Sequence, residues 1–350
     1  MKSRIIRKTK KNLKKVIKKY LLGKPVISLH DVRKYREFDH YELALEAYPA
    51  KKVHIDSKLP SEPPGGITYE FGPSGYVGDI SSDYCTIPST WREPDNYCHW
   101  NFSELPFLFL AFESKAHNII LPDLLIDGKM PFQKKWMELL YEKHPEKKVI
   151  RLSKTKVPKN TMIPVNHDTS TSNKAIGKCE YKYYHHGRAT PYLIARVNEY
   201  KNDFDFSGIT VKHGDLIYIN RPNRRLQNEL EVQSMVKELG FEIVTLEDLV
   251  LEEQILLFLN AKTIIGFHGA GLANLLFCND GSTQVFEFAD IDCVYPCYLD
   301  GKVISGEKAT RTYFHMLSVM KNLEYHCVET IDYMLDLDAF KQELTAALNK

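Results

Sequence analysis

Residues 263–277, TIIGFHGAGLANLLF, place a histidine and a Gly-Ala-Gly turn between an apolar strand and a run of helix formers. His268 is a side chain that changes charge near neutrality. A turn built from Gly269, Ala270 and Gly271 lets backbone approach a ligand closely. The amides and dipole at the start of the helix that follows attract an anion, most often a phosphate. The same glycines could instead serve only helix packing. A second stretch, YINRPNRRLQNE, sets Arg221, Arg224 and Arg225 at another strand-to-helix junction. Guanidinium groups grip pyrophosphate bidentately and stay charged. Arg224 reads as surface charge, and Arg221 and Arg225 as phosphate ligands. Glu287 ends TQVFEF and could accept hydrogen bonds from ribose hydroxyls, or else form a cap or salt bridge. The predicted phosphate- and nucleoside-binding set is Arg221, Arg225, His268, Gly269, Ala270, Gly271, Asn274 and Glu287. Neither GxGxxG nor GxxxxGK[ST] is present, so the common dinucleotide and P-loop sites are not expected.

The elements that must position these residues follow from hydrophobic periodicity. DLIYINR, FEIVTLED, TIIGF and TQVFEFA read as strands, and RRLQNELEVQSMVKELG, LEEQILLFLNA and AGLANLLF as the helices between them. This alternation with short connections predicts a doubly wound parallel sheet, in which ligands bind beyond the carboxyl ends of the strands. The turn after TIIGF lies at that edge. RTYFHMLSVMKNLEYHCVE adds one helix and one strand, and DLDAFKQELTAALNK a final helix. Upstream, a helix over about 99–115, a strand over 118–121, the helix PFQKKWMELLYEKH and the strand KKVIRL predict a second α/β domain. Residues 25–90 are dense in Pro and Gly and read as turns between short strands. The expected division is a basic segment 1–24, a domain 25–185 and a domain 186–350.

Composition limits the class of protein. The chain has 350 residues, enough for two cores, with 43% hydrophobic and 26% charged residues. No apolar run reaches the roughly 18–20 residues of a membrane-spanning helix, and a secretory leader is not expected. The seven cysteines show no CxxC or zinc spacing and read as reduced thiols of a cytoplasmic protein. The net charge of +2 conceals eleven Lys or Arg and no acid within residues 1–24. Leu13, Val16, Ile17, Tyr20 and Leu21 recur there at helical spacing. That pattern suits a helix on an anionic membrane surface, at the inner face of the membrane, or a solvated basic tail. With one aromatic in the segment, nucleic-acid binding is not expected.

From YINRPNRRLQNE through HGAGLANLLF to FEF, the segment 214–288 closely resembles the C-terminal half of glycosyltransferase family 61, and NYCHWNFSELP resembles that family's His-Trp signature. The resemblance implies a GT-B-like fold: two Rossmann-like doubly wound domains facing a cleft, one for a nucleotide sugar, usually a UDP-sugar, and one for the acceptor. It implies an inverting transfer to a hydroxyl of a glycan or lipid-linked acceptor, in surface polysaccharide biosynthesis. No metal or other cofactor is expected, since protein cations and a helix start meet the departing diphosphate. The family places an acid four residues after the signature His. Here that position is Ser103, with Glu104 beside it. Neighbours on an α-helix differ by about 100°, so either the helix is shifted in register or another residue is the base. Glu104 and His99 are the candidate catalytic residues, and His99 with Trp100 could equally be packing residues. Two further readings stand beside this one. A metal-dependent DxD transferase could use Asp203–Asp205, Asp290–Asp292 or Asp336–Asp338. A non-catalytic nucleotide-binding protein is permitted by Ser103.

Overall fold

The computed structural model describes residues 51–55, 67–71, 74–87, 95–158, 160–166, 175–176, 179–180, 189–209, 214–222, 226–290, 295–299, 302–309 and 313–349. The basic segment 1–24, Arg224 and Arg225 lie outside them. The chain is α/β and divides into two compact units. Among the described residues, one unit comprises 74–87, 95, 103–158 and 160–166; the other comprises 51–55, 67–71, 96–102 and those from 175 onward.

The first unit holds a five-stranded sheet in the order Ser74–Gly78, Met162–Asn166, Tyr84–Thr86, Asn118–Leu121, Lys148–Arg151. The edge pair Ser74–Gly78 and Met162–Asn166 is antiparallel, and the other pairings are parallel. Asn118–Leu121 (NIIL) is buried at every position, as a strand covered on both faces should be. Helix Leu105–Glu113 (LPFLFLAFE) is apolar all round and buries its first eight residues. Helix Pro131–Lys143 starts with a proline whose missing N–H costs nothing there, and Gln133 Oε1 accepts from the amides of Lys129 (2.7 Å) and Met130 (3.0 Å). Trp136 from this helix meets Phe109 edge-on at 5.6 Å.

The second unit is built on five strands in the order Glu242–Val244, Leu216–Ile219, Thr263–Phe267, Gln284–Asp290, Glu324–Thr330, all parallel. In chain order this is 2-1-3-4-5. The order reverses between Leu216–Ile219 and Thr263–Phe267, and beyond the carboxyl ends of those two strands a doubly wound sheet leaves its ligand crevice. Tyr218, Val236, Ile265, Phe286, Phe288 and Phe340 anchor the core on one face. Each such side chain contributes roughly 1.5–3 kcal/mol by burial. Helix Glu229–Glu238 is tied to the sheet by a buried carboxylate. Glu229 accepts from Tyr218 Oη (2.8 Å), Gln233 Nε2 (2.8 Å) and the Leu226 amide (3.3 Å), closing the far end of the loop that Arg221 opens.

The segment AGLANLLF, expected as an α-helix, is a 3₁₀-helix over Ala270–Phe277. Eight residues are long for that form. Its environment explains it. Leu272–Phe277 are all buried, and the Asn274 side chain reaches back three residues to the Gly271 carbonyl at 3.1 Å. At the far end the buried Lys201 ammonium lies over the carbonyls of Phe277 (3.3 Å) and Cys278 (3.4 Å), neutralising the negative end of the helix.

Candidate functional site

Arg221 follows the Leu216–Ile219 strand and His268 follows the Thr263–Phe267 strand. The two therefore stand at the ends of the strands that flank the reversal of order. Arg221 Nη1 donates to the His268 carbonyl oxygen. The guanidinium lies so close over Gly269 that a Cβ there would fall 1.7 Å from Arg221 Nη1. Gly269 has extended backbone, so it is glycine for clearance rather than for its dihedral angles. Gly271 is less crowded, because its Cβ would press only on the end of the Leu246 side chain, at 2.9 Å, with Ile219 at an ordinary 3.6 Å. Residues 268–271 are neither buried nor fully exposed, so the start of the 3₁₀-helix remains reachable.

Glu287 is the fourth residue of the Gln284–Asp290 strand and is only 1% exposed. One carboxylate oxygen meets His268 Nδ1, and the other accepts from Tyr325 Oη at 2.6 Å. Both oxygens are thus engaged inside the protein. This geometry suits the orientation of His268 better than the ribose contact expected from Glu287's place at a strand end. His315 and Phe314, from helix Tyr313–Met320, complete the surroundings. The His315 ring lies 4.9 Å from that of Tyr325, and Phe314 lies 5.3 Å from His268.

Asn274, expected among the ligand contacts, is wholly buried. Its Nδ2 donates to Gln254 Oε1 (3.0 Å) and to the Gly271 carbonyl, and its Oδ1 accepts from Tyr97 Oη. It therefore links the 3₁₀-helix to helix Leu251–Asn260 and to the Tyr97–His99 turn, and holds the glycine turn in place. Removing it takes a hydrogen-bond partner from three polar groups, and a buried group left unsatisfied costs about 1–3 kcal/mol before relaxation. Asn274→Ala is expected to lower the melting temperature by several degrees and leave nucleotide affinity of the folded protein within a few-fold. Unchanged melting with a large loss of affinity would mean that Asn274 touches the ligand.

The NYCHWNFSELP stretch forms one continuous helical run with a change of pitch. Asn96 caps it, accepting from the amides of Cys98 (3.0 Å) and His99 (3.2 Å). After Tyr97–His99 the chain widens into a π-turn, Trp100–Glu104, and then continues as helix Leu105–Glu113. Pro106 accounts for the widening. It has no N–H to give, and its ring would crowd the carbonyl four residues back, at Phe102. A π-turn takes one extra residue per turn, with bonds from i to i+5. The fifth residue after His99, Glu104, therefore occupies the register that the fourth would hold in an α-helix. Of the two alternatives that Ser103 left open, this is the geometry of a helix shifted by one residue. Glu104 is 3% exposed, and burial pushes its carboxyl up to about 8. Trp100 is fully buried, so it packs the helix, while His99 is half-buried.

Sequence reasoning missed Tyr325, His315, Tyr97 and Gln254. The available signal was polarity out of place: His315 in the apolar helix YFHMLSVM, and Tyr325 in a strand paired with the one that carries Glu287.

Among the described residues no group of three or more His, Cys, Asp or Glu could hold a metal ion, and no helix is long and apolar enough to cross a membrane. Cys85, Cys98 and Cys278 are free thiols. The family model described as Glycosyltransferase 61 matches residues 97–286, more than half of the chain, from the tyrosine that bonds Asn274 to the residue before Glu287. No curated protein matches it.

Proposed function

The chain belongs to the glycosyltransferase 61 family, and on that premise we propose that it is an inverting transferase carrying a sugar from a nucleotide sugar, of the UDP class, to a hydroxyl of a glycan or lipid-linked acceptor in surface polysaccharide synthesis. The fold proposed is of GT-B type, with the unit built on the parallel sheet taking the donor and the unit containing Glu104 taking the acceptor.

One observation carries the donor reading. Arg221 and His268 stand on the two strands that flank the reversal of sheet order, with the start of a 3₁₀-helix between them. Departure of a nucleoside diphosphate puts negative charge on the bridging oxygen. A guanidinium, an imidazole and the backbone amides of a helix start in a partly buried site stabilise that charge without a metal. The acceptor hydroxyl must lose its proton as it attacks the anomeric carbon. Glu104 is the carboxyl in the family-matched segment whose buried setting makes it the stronger base once ionised.

Binding of the donor to the folded state raises its stability by mass action, by about 2.7 kcal/mol at a hundredfold excess over Kd. A thermal-shift screen of nucleotide sugars and nucleoside diphosphates should therefore raise the melting temperature with UDP compounds, and Arg221→Ala should remove the shift. Transfer from a radiolabelled donor then tests catalysis. If no nucleotide stabilises the wild-type protein, the donor reading is wrong. Stabilisation without transfer to any acceptor would favour a nucleotide-binding protein that is not an enzyme.

A further inference from the structure

Glu287 is a carboxylate placed where sheet packing alone would call for an apolar side chain. Along V-F-E-F the side chains alternate between faces, so Phe286 and Phe288 enter the core cluster on one face while Glu287 is buried on the other. A carboxylate that deep costs several kcal/mol unless hydrogen bonds and a counter-charge offset it. Its two donors come from two further strand regions: Tyr325 from the neighbouring strand and His268 from the turn after Thr263–Phe267.

The chemistry of those neighbours is one-sided. Burial beside Glu287 pushes the Tyr325 phenol well above its usual range, so it stays protonated and can only donate to the carboxylate. Burial holds His315 down to about 4, against the pull of Glu287, so it is neutral at physiological pH; its Nδ1 has no hydrogen-bond partner among the described residues. Arg221 donates to the backbone carbonyl of His268. Phe314 contributes an uncharged ring. Of the groups around Glu287, His268 is the one that both touches the carboxylate and reaches the accessible start of the 3₁₀-helix. An ionised carboxylate cannot donate, so Nδ1 of His268 carries the proton of their hydrogen bond. The His268 side chain is 15% exposed while Glu287 is closed off, which leaves the other ring nitrogen, Nε2, as the one available to a ligand.

We infer that Glu287 is a positioning residue for donor binding: it fixes Nδ1–H of His268 inside the protein and presents Nε2 to the donor's diphosphate, which His268 meets as an imidazolium. The inference rests on the donor reading above. Because Nδ1–H is already committed, His268 can donate to an anion only by holding a second proton, on Nε2. That proton comes from solvent when the free imidazole is neutral. The carboxylate that would face this added charge is buried and in direct contact with the ring.

Two measurements test this. Histidine side-chain ¹⁵N spectra of the free protein identify His268 as the signal missing from His268→Asn. Its Nδ1 should be protonated, and a bare Nδ1 overturns the inference whatever UDP does. Calorimetry of UDP binding at pH 8, in two buffers of different ionisation enthalpy, counts protons. Wild type should take up more protons per UDP than His268→Asn, which reports any uptake by UDP itself. Glu287→Gln should lose that excess and bind UDP about 10- to 100-fold more weakly. Tyr325→Phe, which leaves the His268 bond intact, should keep the excess with a smaller loss of affinity. If Glu287→Gln is folded and retains wild-type affinity or proton uptake, the inference is overturned. If wild type binds neither UDP nor GDP, the donor reading fails first and takes the assigned ligand with it. If Glu287→Gln does not fold, the spectra and Tyr325→Phe still decide the matter.

Discussion

Glu104→Gln should slow sugar transfer by about 10²- to 10⁴-fold, the usual cost of losing a general base, while making the protein more stable at pH 8. The two effects have one origin. Burial pushes the Glu104 carboxyl from its ordinary 4.5 up to about 8. Between those values the unfolded chain has released this proton and the folded protein retains it. Stability therefore falls as pH rises from about 4.5, and the loss is complete once the folded carboxyl ionises, above about 8. At roughly 1.4 kcal/mol per pH unit, the wild type gives up a few kcal/mol across that window. Glutamine resembles the protonated acid in shape and cannot ionise, so the variant avoids the loss. Melting curves of the two proteins should coincide near pH 4 and separate progressively towards pH 8, with Glu104→Gln the higher. Other carboxylates titrate in both proteins and cancel in the difference. A residue needed only for packing would give the opposite result, with lower melting and little change in turnover of the folded fraction.

The same carboxyl sets the pH profile. A base that ionises near pH 8 is about one-tenth active at pH 7, so kcat should rise roughly tenfold between pH 7 and 9 and then level off. His99→Asn provides the comparison. If His99 were the base, that variant would lose the activity and Glu104→Gln would retain it.

The sequence made the parallel sheet legible because its strands, such as TIIGF and LIYI, are short apolar runs bounded by polar turns, and the helices between them repeat at helical spacing. Arg221 and His268 were legible as well, since a strand end followed by a turn already fixes where they sit. What stayed hidden depended on distant partners. AGLANLLF has the composition of an α-helix, and only the burial of Leu272–Phe277 and the bonds of Asn274 tighten it into a 3₁₀-helix. Asn274 looked like a polar group at a ligand edge, whereas Tyr97, 177 residues earlier, claims it. Glu287 reads from the sequence as a ribose contact, a cap or a salt bridge, because its partner Tyr325 lies 38 residues further on. The π-turn left one trace in the sequence, an acid displaced by one position just ahead of Leu105-Pro106. Periodicity alone cannot tell that displacement from a lost residue.

Gly269→Ala is the smallest change expected to disable donor binding. One added methyl would lie 1.7 Å from Nη1, 2.2 Å from Cζ and 2.7 Å from Nη2 of Arg221, all far inside contact distance. The φ of Gly269 is 167°, which alanine adopts readily, so the substitution leaves the backbone unstrained and acts on the neighbour. Arg221 must swing away, losing its bond to the His268 carbonyl and its place beside the start of the 3₁₀-helix. A charge-assisted hydrogen bond contributes about 1.5–3 kcal/mol, so UDP affinity should drop about 10- to 100-fold, close to the loss in Arg221→Ala. Combining the two substitutions should add little, because both remove the same contact. Gly271→Ala is the internal control. Its methyl would press on the flexible end of Leu246 at 2.9 Å, which can turn aside, so its effect should be a modest loss of stability. Wild-type UDP affinity in Gly269→Ala would show that the guanidinium does not hold the diphosphate from this position. Equal losses in Gly269→Ala and Gly271→Ala would point to general disruption of the turn, and the Arg221 contact would lose its special standing.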